Sequence, residues 1–218
     1  MPPAYRFVLF LGGPIMRRWA RLRVTGVECL PPDGPVLLVA DHDSYWDPIA
    51  IAVAARQVRP VRALAKSTLW KTRFVASLMN SMGHIPVHRG AGNAEAMATA
   101  ERELRAGACI GVFPEATRSL GRELRARTGI SRLAEAVPKA AVVCVRTTGS
   151  VDVVRVPKRP SVTVDFYLPA GGGRQPGEPA QDFADRLVAE LRTDAQREIP
   201  GRRRTAAKYR RALDDDQR

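Results

Sequence analysis

The chain is poor in aromatic residues, cysteine and histidine. Aromatic residues make up 6% of its 218 residues, too few for the stacking platforms that bind single-stranded nucleic acid. The three cysteines, Cys29, Cys109 and Cys144, are odd in number, lie in apolar stretches and show no metal-ligand spacing. We therefore expect no disulfide framework and no metal site, but reduced structural thiols in a cytosolic protein.

Long apolar runs are also absent from the N-terminal part. The longest uninterrupted run there is Phe7 to Leu11, which ends at Gly12-Gly13-Pro14 and is far shorter than the ~20 residues that span a bilayer. Arg17-Arg18-Trp19 is not a small-residue cleavage site, so a signal peptide is not expected. Residues 1–25 contain five arginines and no acid among apolar residues. This combination predicts an amphipathic membrane-contact segment over residues 1–22.

Basic residues outnumber acidic ones along the whole chain. Lys and Arg total 35 against 22 Asp and Glu, a net charge of +13, which favours an anionic partner such as a lipid surface or a nucleic acid. The length suits one α/β domain, which we place at residues 23–200. Residues 201–218 are interpreted as a basic, solvated tail, with a second membrane or nucleic-acid contact as the alternative.

Short apolar runs alternate with segments of helical period, which predicts a single α/β domain with a mainly parallel twisted sheet flanked by helices. Apolar stripes at helical spacing predict core-facing sides for two of the helices, 68–81 (Trp70, Phe74, Val75, Leu78) and 180–198 (Phe183, Leu187, Val188, Leu191). The predicted strands are 23–29, 36–40, 61–65, 84–87, 109–113, 141–146, 151–156 and 162–168, and the predicted helices are 48–57, 68–81, 93–106, 128–136 and 180–198.

The first candidate site follows the predicted strand Val36 to Ala40. Asp41, His42, Asp43 and Asp47 come directly after that strand, where ligands bind in open α/β sheets. Histidine, with a pKa near 6.5, is the side chain best suited to general-base chemistry at neutral pH, but a His-x4-Asp spacing by itself is weak evidence for such a site.

Two other interpretations of this stretch stay open. Asp47 precedes Pro48, and an acid before proline is a common helix N-cap. Asp41, His42 and Asp43 also allow a metal site, although no other histidine has ligand spacing.

Three further predicted strands end in polar residues. Lys66 follows the strand at 61–65, Arg89 ends the stretch GHIPVHR, and FPEATRS (Phe113 to Ser119) follows the strand at 109–113. Lys66 and Arg89 are candidate phosphate contacts, whereas a surface lysine, a solvated arginine and a capped turn are the plain structural alternatives. His84 and His88 are interpreted as solvent-facing bystanders.

The order of these motifs resembles the glycerolipid acyltransferase family, specifically the bacterial 1-acylglycerol-3-phosphate acyltransferases. The matching stretches are HDSYWD (42–47), GHIPVHR (83–89), FPEATRS (113–119) and VCV (143–145). Two positions depart from the family pattern: Ala116 stands where glycine is usual, and Cys144 where proline is usual. Because glycine tolerates backbone conformations that alanine resists, Ala116 is expected to restrict its loop.

The resemblance implies transfer of a fatty acyl group from acyl-CoA or acyl carrier protein to a lysophospholipid hydroxyl, with 1-acylglycerol-3-phosphate as the acceptor and phosphatidic acid as the product. It implies that His42 is the general base and that Asp47 orients it. Lys66 and Arg89 would bind the acceptor's phosphate, while Glu115, with Thr117 and Arg118, would order the acceptor's polar backbone or the nearby loop. Backbone amides after His42 are candidate oxyanion donors.

The expected partners are the lysophospholipid, the acyl donor and an anionic membrane surface, with no cofactor, metal or nucleic acid. We expect a peripheral location on the cytoplasmic side of the cell membrane. The alternatives are a related acyltransferase that acts on another lysolipid, an acyl-thioester hydrolase using the same dyad with water, and a basic nucleic-acid-binding protein.

Overall fold

Seven strands form one sheet that is flanked by helices. The computed structural model describes residues 1–88, 93–119, 124–154 and 159–193. The strands are β1 (Arg23–Thr25), β2 (Val36–Ala40), β3 (Val61–Lys66), β4 (Ile85–Val87), β5 (Cys109–Val112), β6 (Ala141–Thr148) and β7 (Thr163–Tyr167), and the helices are α1 (Pro3–Pro14), α2 (Asp47–Ala55), α3 (Arg73–Ser81), α4 (Asn93–Arg105), α5 (Gly129–Ala136) and α6 (Ala180–Arg192).

The strand order across the sheet is β1-β7-β6-β2-β5-β3-β4. Strands β2 to β6 run parallel to one another, and β7 is antiparallel to β6 and parallel to β1. The predicted fold class, a mainly parallel sheet with helices around it, is therefore confirmed.

Strand β2 is the centre of the sheet, and all five of its residues are buried. Successive side chains of a strand point to opposite faces. Accordingly, Val36, Leu38 and Ala40 pack in one apolar cluster with α2, while Leu37 and Val39 pack in another with α4, α5 and α6. Burial on both faces holds the end of β2 rigidly, which is where the candidate histidine follows.

The N-terminal segment is helical and packs on the domain. Helix α1 continues past Pro14 into a π-helical turn, Ile15–Trp19, so the Gly12-Gly13-Pro14 stretch does not interrupt it. A Cβ on Gly12 would lie 2.9 Å from the side chain of Ile49 in α2, which shows how closely the two helices approach. Tyr5 is fully buried, and its hydroxyl accepts the Val61 N–H at 3.1 Å.

No helix among the described residues has the length and apolar character needed to cross a membrane.

Three sequence predictions about these elements are wrong. The strand predicted over 23–29 ends at Thr25, because Gly26 (φ 63°) begins a 3-10 turn over Val27–Cys29. Residues 151–154 form no strand, because Gly149 (φ 75°) begins a 3-10 turn over Ser150–Asp152; residues 155 and 156 of that predicted strand lie outside the described part. The stripe on α3 is not core, since none of the helix's residues is buried and Phe74 is 70% exposed. The stripe on α6 is buried as predicted.

Two other predictions fall where the structure describes nothing. Arg89 lies in the gap after residue 88, and the basic tail at 201–218 lies beyond residue 193.

Candidate active site

The polar motifs gather at one edge of the sheet because they follow strands that run in the same direction. Strand β5 lies beside β2, β3 beside β5, and β4 beside β3, all parallel. Their carboxyl ends therefore face the same side, and β6, parallel to β2 on its other flank, ends there too. The loops after β2, β5 and β6 contribute the side chains described next.

His42 and Asp47 form the predicted pair. His42 Nδ1 lies 2.9 Å from Asp47 Oδ2, and the carboxylate is 1% exposed against 16% for the imidazole side chain. The imidazole also packs on Phe113, the residue after β5, with 4.4 Å between ring centroids. When Nδ1 carries the proton and donates a hydrogen bond to Asp47, Nε2 is the nitrogen that can act as a base.

Asp47 is held by donors other than the histidine. Its Oδ2 also accepts the backbone N–H groups of Asp43 and Ser44, each at 2.7 Å. The N-cap prediction is wrong, since Asp47 is the first helical residue and the cap residue, Trp46, makes no side-chain cap bond. The carboxylate turns back toward the loop instead. The two amides after His42 are thus engaged by Asp47, which argues against them as oxyanion donors.

Ser150 completes the environment of Asp47, and the sequence motifs did not identify it. Its hydroxyl donates to Asp47 Oδ1, and its backbone carbonyl accepts from Ser44 Oγ at 3.2 Å. Ser150 lies in the turn after β6, which follows a glycine at φ 75°. No spacing rule relates it to the pair, because 103 residues separate it from Asp47.

A second polar cluster joins the loops after β2 and β5 through an arginine of α6. Arg192 donates from Nε to Glu115 Oε1 at 3.1 Å and from its second terminal nitrogen to Oε2 of the same carboxylate. Its first terminal nitrogen donates to Asp43 Oδ2 at 3.0 Å. The Ser119 hydroxyl donates to Asp43 Oδ1, and the Ser119 backbone N–H donates to the carbonyl of His42 at 2.8 Å.

This cluster changes what was predicted for three residues. Glu115 is 5% exposed and meets an arginine that the motifs did not include. Asp43, which the sequence offered as a candidate metal ligand, accepts hydrogen bonds from Arg192 and Ser119. Asp41 is also buried, and its Oδ1 accepts the Thr147 N–H at 2.8 Å, which ties β2 to β6.

Burial and charge act in opposite directions on these groups. Burial raises the pKa of Glu115, and the hydrogen bonds and charge of Arg192 partly offset that rise. For Arg192, burial disfavours the charged form, but Glu115 and Asp43 outweigh it, so the pKa is raised and the guanidinium stays charged. Burial, reinforced by the charge of Asp47, raises the pKa of Asp41 well above its usual range. Arg192 thus counters the cost of placing carboxylates out of water.

The remaining predicted site residues are less closely connected to the pair. Arg118 lies over the ring of Tyr45, 3.8 Å from its centroid, and donates to the Tyr45 hydroxyl at 3.2 Å. Thr117 is half-buried in the same loop, and Lys66 is exposed at the end of β3. The substrate-binding roles of Lys66, Arg89, Glu115, Thr117 and Arg118 stay predictions.

His84 is not the solvent-facing residue that the sequence suggested. Its Nδ1 accepts the Ala63 N–H at 2.9 Å, and burial lowers its pKa to about 4. It is a neutral structural acceptor between β3 and β4. Among the described residues, no three His, Cys, Asp or Glu side chains are grouped as a metal ion would require.

The two departures from the motif pattern have different structural settings. Ala116 is exposed and has φ 57°, in the left-handed region that glycine adopts without cost. The expected restriction on this loop is therefore visible as backbone strain. Cys144 is fully buried within β6, which runs as a regular strand beside β2.

Comparison with known proteins finds similar sequences. A family model described as Acyltransferase matches residues 21–154. A 1-acyl-sn-glycerol-3-phosphate acyltransferase of Borreliella burgdorferi is 32% identical over 107 residues, which are 48% of this chain and 42% of that protein. An uncharacterized protein of Mycobacterium tuberculosis is 28% identical over 122 residues, 53% of this chain and 32% of that protein. The chain thus spans less than half the length of these two relatives.

The fold also has a counterpart of known structure. The crystal structure of the 1-acyl-sn-glycerophosphate (LPA) acyltransferase from Thermotoga maritima matches with a TM-score of 0.65 at 19% sequence identity, covering 88% of this chain and 81% of that one. That likeness supports the fold. The family predicted from the motifs is confirmed by the family model, which covers more than half of the chain and includes His42, Asp47 and Glu115: the chain belongs to the acyltransferase family.

Proposed function

We propose that this protein transfers a fatty acyl group from the thioester of acyl-CoA or acyl carrier protein to the hydroxyl of a lysophospholipid. The acceptor in this proposal is 1-acylglycerol-3-phosphate, and the product is phosphatidic acid. One observation carries the proposal: His42 Nδ1 lies 2.9 Å from an Asp47 carboxylate that is almost fully buried. That arrangement prepares Nε2 to take a proton from an alcohol.

The chemistry follows from this pair. Nε2 of His42 removes the proton of the acceptor hydroxyl as its oxygen attacks the thioester carbonyl carbon, and the buried Asp47 stabilises the imidazolium that forms. The tetrahedral intermediate collapses with cleavage of the carbon–sulfur bond. The departing thiolate takes the proton from His42, so an ester and a free thiol are released. General-base catalysis contributes about 10² to 10⁴ in rate, or roughly 3 to 5 kcal/mol of barrier.

In this mechanism the nucleophile belongs to the substrate rather than the protein. Cys109 and Cys144 are buried in β5 and β6, and burial raises the pKa of each thiol to about 12. Such thiols are poor nucleophiles at neutral pH. An acyl-enzyme on either cysteine is therefore not part of the proposal.

Lys66 and Arg89 are the proposed contacts for the acceptor's phosphate. Lys66 supports this role because it is exposed at the end of β3, on the same edge of the sheet as His42. For Arg89, which lies outside the described residues, the support is its motif. We expect Arg89→Ala to raise the apparent KM for a phosphate-bearing acceptor more than it lowers kcat, because phosphate binding is made before the reaction. An unchanged KM would exclude Arg89 from the phosphate site.

The protein is also proposed to work at the cytoplasmic face of the cell membrane, where the lysophospholipid acceptor and the phosphatidic acid product are found. Helix α1 buries one side on the domain and exposes an apolar outer side, with Phe10 75% exposed. It packs against α3, where Phe74 is 70% exposed. Exposed basic residues beside these apolar groups favour anionic lipid. The outer apolar residues of α1 and its π-helical turn are Phe7, Phe10, Leu11 and Ile15, with Arg17 and Arg18 following.

Substitution tests the membrane contact better than truncation. Deleting residues 1–20 would also remove Tyr5 and Met16, which are fully buried. We expect Phe10→Ser with Leu11→Ser to weaken binding to liposomes containing phosphatidylglycerol in a sedimentation assay, because apolar area is lost at the interface. Leu168→Ser, at an exposed apolar residue elsewhere, is the control. Undiminished binding of the double variant would exclude α1 as the membrane contact.

Thiol release from an acyl thioester, measured with and without lysolipid, tests the reaction itself. Acyl transfer requires release that depends on the acceptor, whereas a hydrolase releases thiol equally without it. A panel of lysolipids and both donor types identifies the substrates. His42→Ala should abolish acceptor-dependent release while leaving the circular dichroism spectrum unchanged, and wild-type-like rates would reject His42 as the base.

A further inference from the structure

Arg192 lies in the last turn of α6, well past residue 154, where the family match ends. It is nevertheless in contact with two of the motif regions. Three of its nitrogens reach two carboxylates, Glu115 after β5 and Asp43 after β2. Its side chain is 14% exposed, so these bonds are largely shielded from water.

The two carboxylates belong to the loops that carry the catalytic chemistry. Asp43 follows His42 directly, and its backbone N–H donates to Asp47 Oδ2 at 2.7 Å. Glu115 lies two residues after Phe113, whose ring packs on the imidazole of His42 at 4.4 Å. Moving either carboxylate would therefore disturb a contact of the base.

We infer that Arg192 is a positioning residue of the catalytic site, holding the His42 loop against the Glu115 loop from the helix that follows the sheet. The inference rests on the proposed function in taking His42 as the base. It assigns Glu115 to loop ordering through Arg192, one of the two roles that the motifs suggested for it.

The chemistry of arginine suits this task. Its planar fork offers donors in fixed directions and binds one carboxylate with two parallel bonds while a further nitrogen reaches a second acceptor. A lysine at this position would offer one ammonium group to the two carboxylates, whereas Arg192 donates to them from three nitrogens. The charge matters as well, because Glu115 and Asp43 are mostly buried, with side chains 2% and 13% exposed.

The test measures kinetics with a matched control on the same helix. Arg192→Ala should lower kcat for acyl transfer by about 10²-fold, since a displaced catalytic group costs about that much, while the KM values for donor and acceptor change by less than about threefold. Arg186 also donates from two nitrogens to one carboxylate, from Nε to Glu178 Oε1 at 3.0 Å and from a terminal nitrogen to Oε2 at 3.1 Å, but at a different place on α6. Arg186→Ala should keep kcat within about twofold, because the partners of Arg186, which are Glu178, Gly172 and Gly173, lie outside the loops that carry His42 and Glu115.

Chemical rescue separates positioning from simple loss of folded protein. Millimolar guanidinium chloride should raise the kcat of Arg192→Ala by at least about tenfold, because the free cation can bind between Glu115 and Asp43 where the side chain was removed. Sodium chloride at the same concentration should leave this kcat unchanged. Arg192→Lys should lie between wild type and alanine. A kcat within about threefold of wild type, or a loss that follows the folded fraction and is not rescued, would overturn the inference.

A readout without turnover covers the case in which the proposed function is wrong. The carboxyl carbon of Glu115, assigned with Glu115→Gln, can be titrated by ¹³C NMR. Removing Arg192 should raise the Glu115 pKa, because burial is then no longer offset by the guanidinium. An unchanged titration would overturn the inference even if transfer is observed. A wild-type protein that transfers to no acceptor would reject the proposed function while this titration still reports on Arg192.

Discussion

Replacing Asp47 with asparagine would separate the charge of this side chain from its geometry. Asp47 Oδ2 accepts three N–H donors, from His42 Nδ1, Asp43 N and Ser44 N, and Oδ1 accepts the hydroxyl of Ser150. An amide nitrogen cannot face three donors. The asparagine carbonyl must therefore turn toward them, with its NH2 toward Ser150, whose hydroxyl oxygen can accept.

This orientation keeps Nδ1–H of His42 as the donor, so Nε2 stays available as the base. In serine triads the same substitution lowers kcat by about 10⁴ because the amide favours the wrong tautomer. Here only the charge of the acceptor is lost. A hydrogen bond to a charged group is worth about 1.5 to 3 kcal/mol, against about 0.5 to 1.5 kcal/mol for a neutral one. The difference of about 1 to 1.5 kcal/mol predicts that kcat for Asp47→Asn falls by roughly 5- to 15-fold.

The assay is acceptor-dependent thiol release at saturating thioester and lysolipid. Asp47→Ala should be much slower than Asp47→Asn and less stable to denaturant, because it strands two backbone donors in a buried loop. Asp165→Asn, at a carboxylate that accepts from Thr25 at the edge of the sheet, is the control. If Asp47→Asn were as inactive as His42→Ala, the amides of residues 43 and 44 would not orient this group. Unchanged kcat would reject any role for the carboxylate's charge.

Three further predictions concern the surroundings of the site. Ser150→Ala should lower the free energy of unfolding by about 1.5 to 3 kcal/mol, because it removes a donor from a buried carboxylate, with the exposed Ser81→Ala as the control; an equal effect in urea denaturation would contradict this. Ala116→Gly should raise the free energy of unfolding by about 1 kcal/mol, since φ 57° strains alanine; a lower melting temperature would count against it. His84 is held neutral with a pKa of about 4, below the unfolded value near 6.5. Its stabilisation is present above pH 6.5 and should be lost as the pH falls through 4; an unaltered pH dependence in His84→Gln would show that another group is responsible.

The motifs at the strand ends were predictable because their chemistry is local. His42 and Asp47 lie on one short loop, and the strand before it is an apolar run of ordinary length, so residue type and spacing were sufficient. Ser150 and Arg192 were not predictable in this way. Each is a common residue type without a motif of its own, and each meets the site only because β6 and α6 return the chain to it.

The errors about secondary structure have a related cause. Residues 151–154 have the β-branched composition of a strand, but Gly149 at φ 75° turns the chain before a strand can form. The apolar stripe of α3 has a helical period, yet Phe74 is 70% exposed. Periodicity shows that one side of a helix is apolar, and it does not show what that side contacts.

By itself, the sequence determined the α/β class, the strand Val36 to Ala40, the four motif positions and the family, because these depend on local pattern and spacing. The tertiary structure alone decided which donors hold Asp47, which cation accompanies Glu115, and that Asp43 is a partner of Arg192. These contacts join residues up to 149 positions apart. Their distances depend on how parallel strands and the last helix pack, which no local pattern encodes.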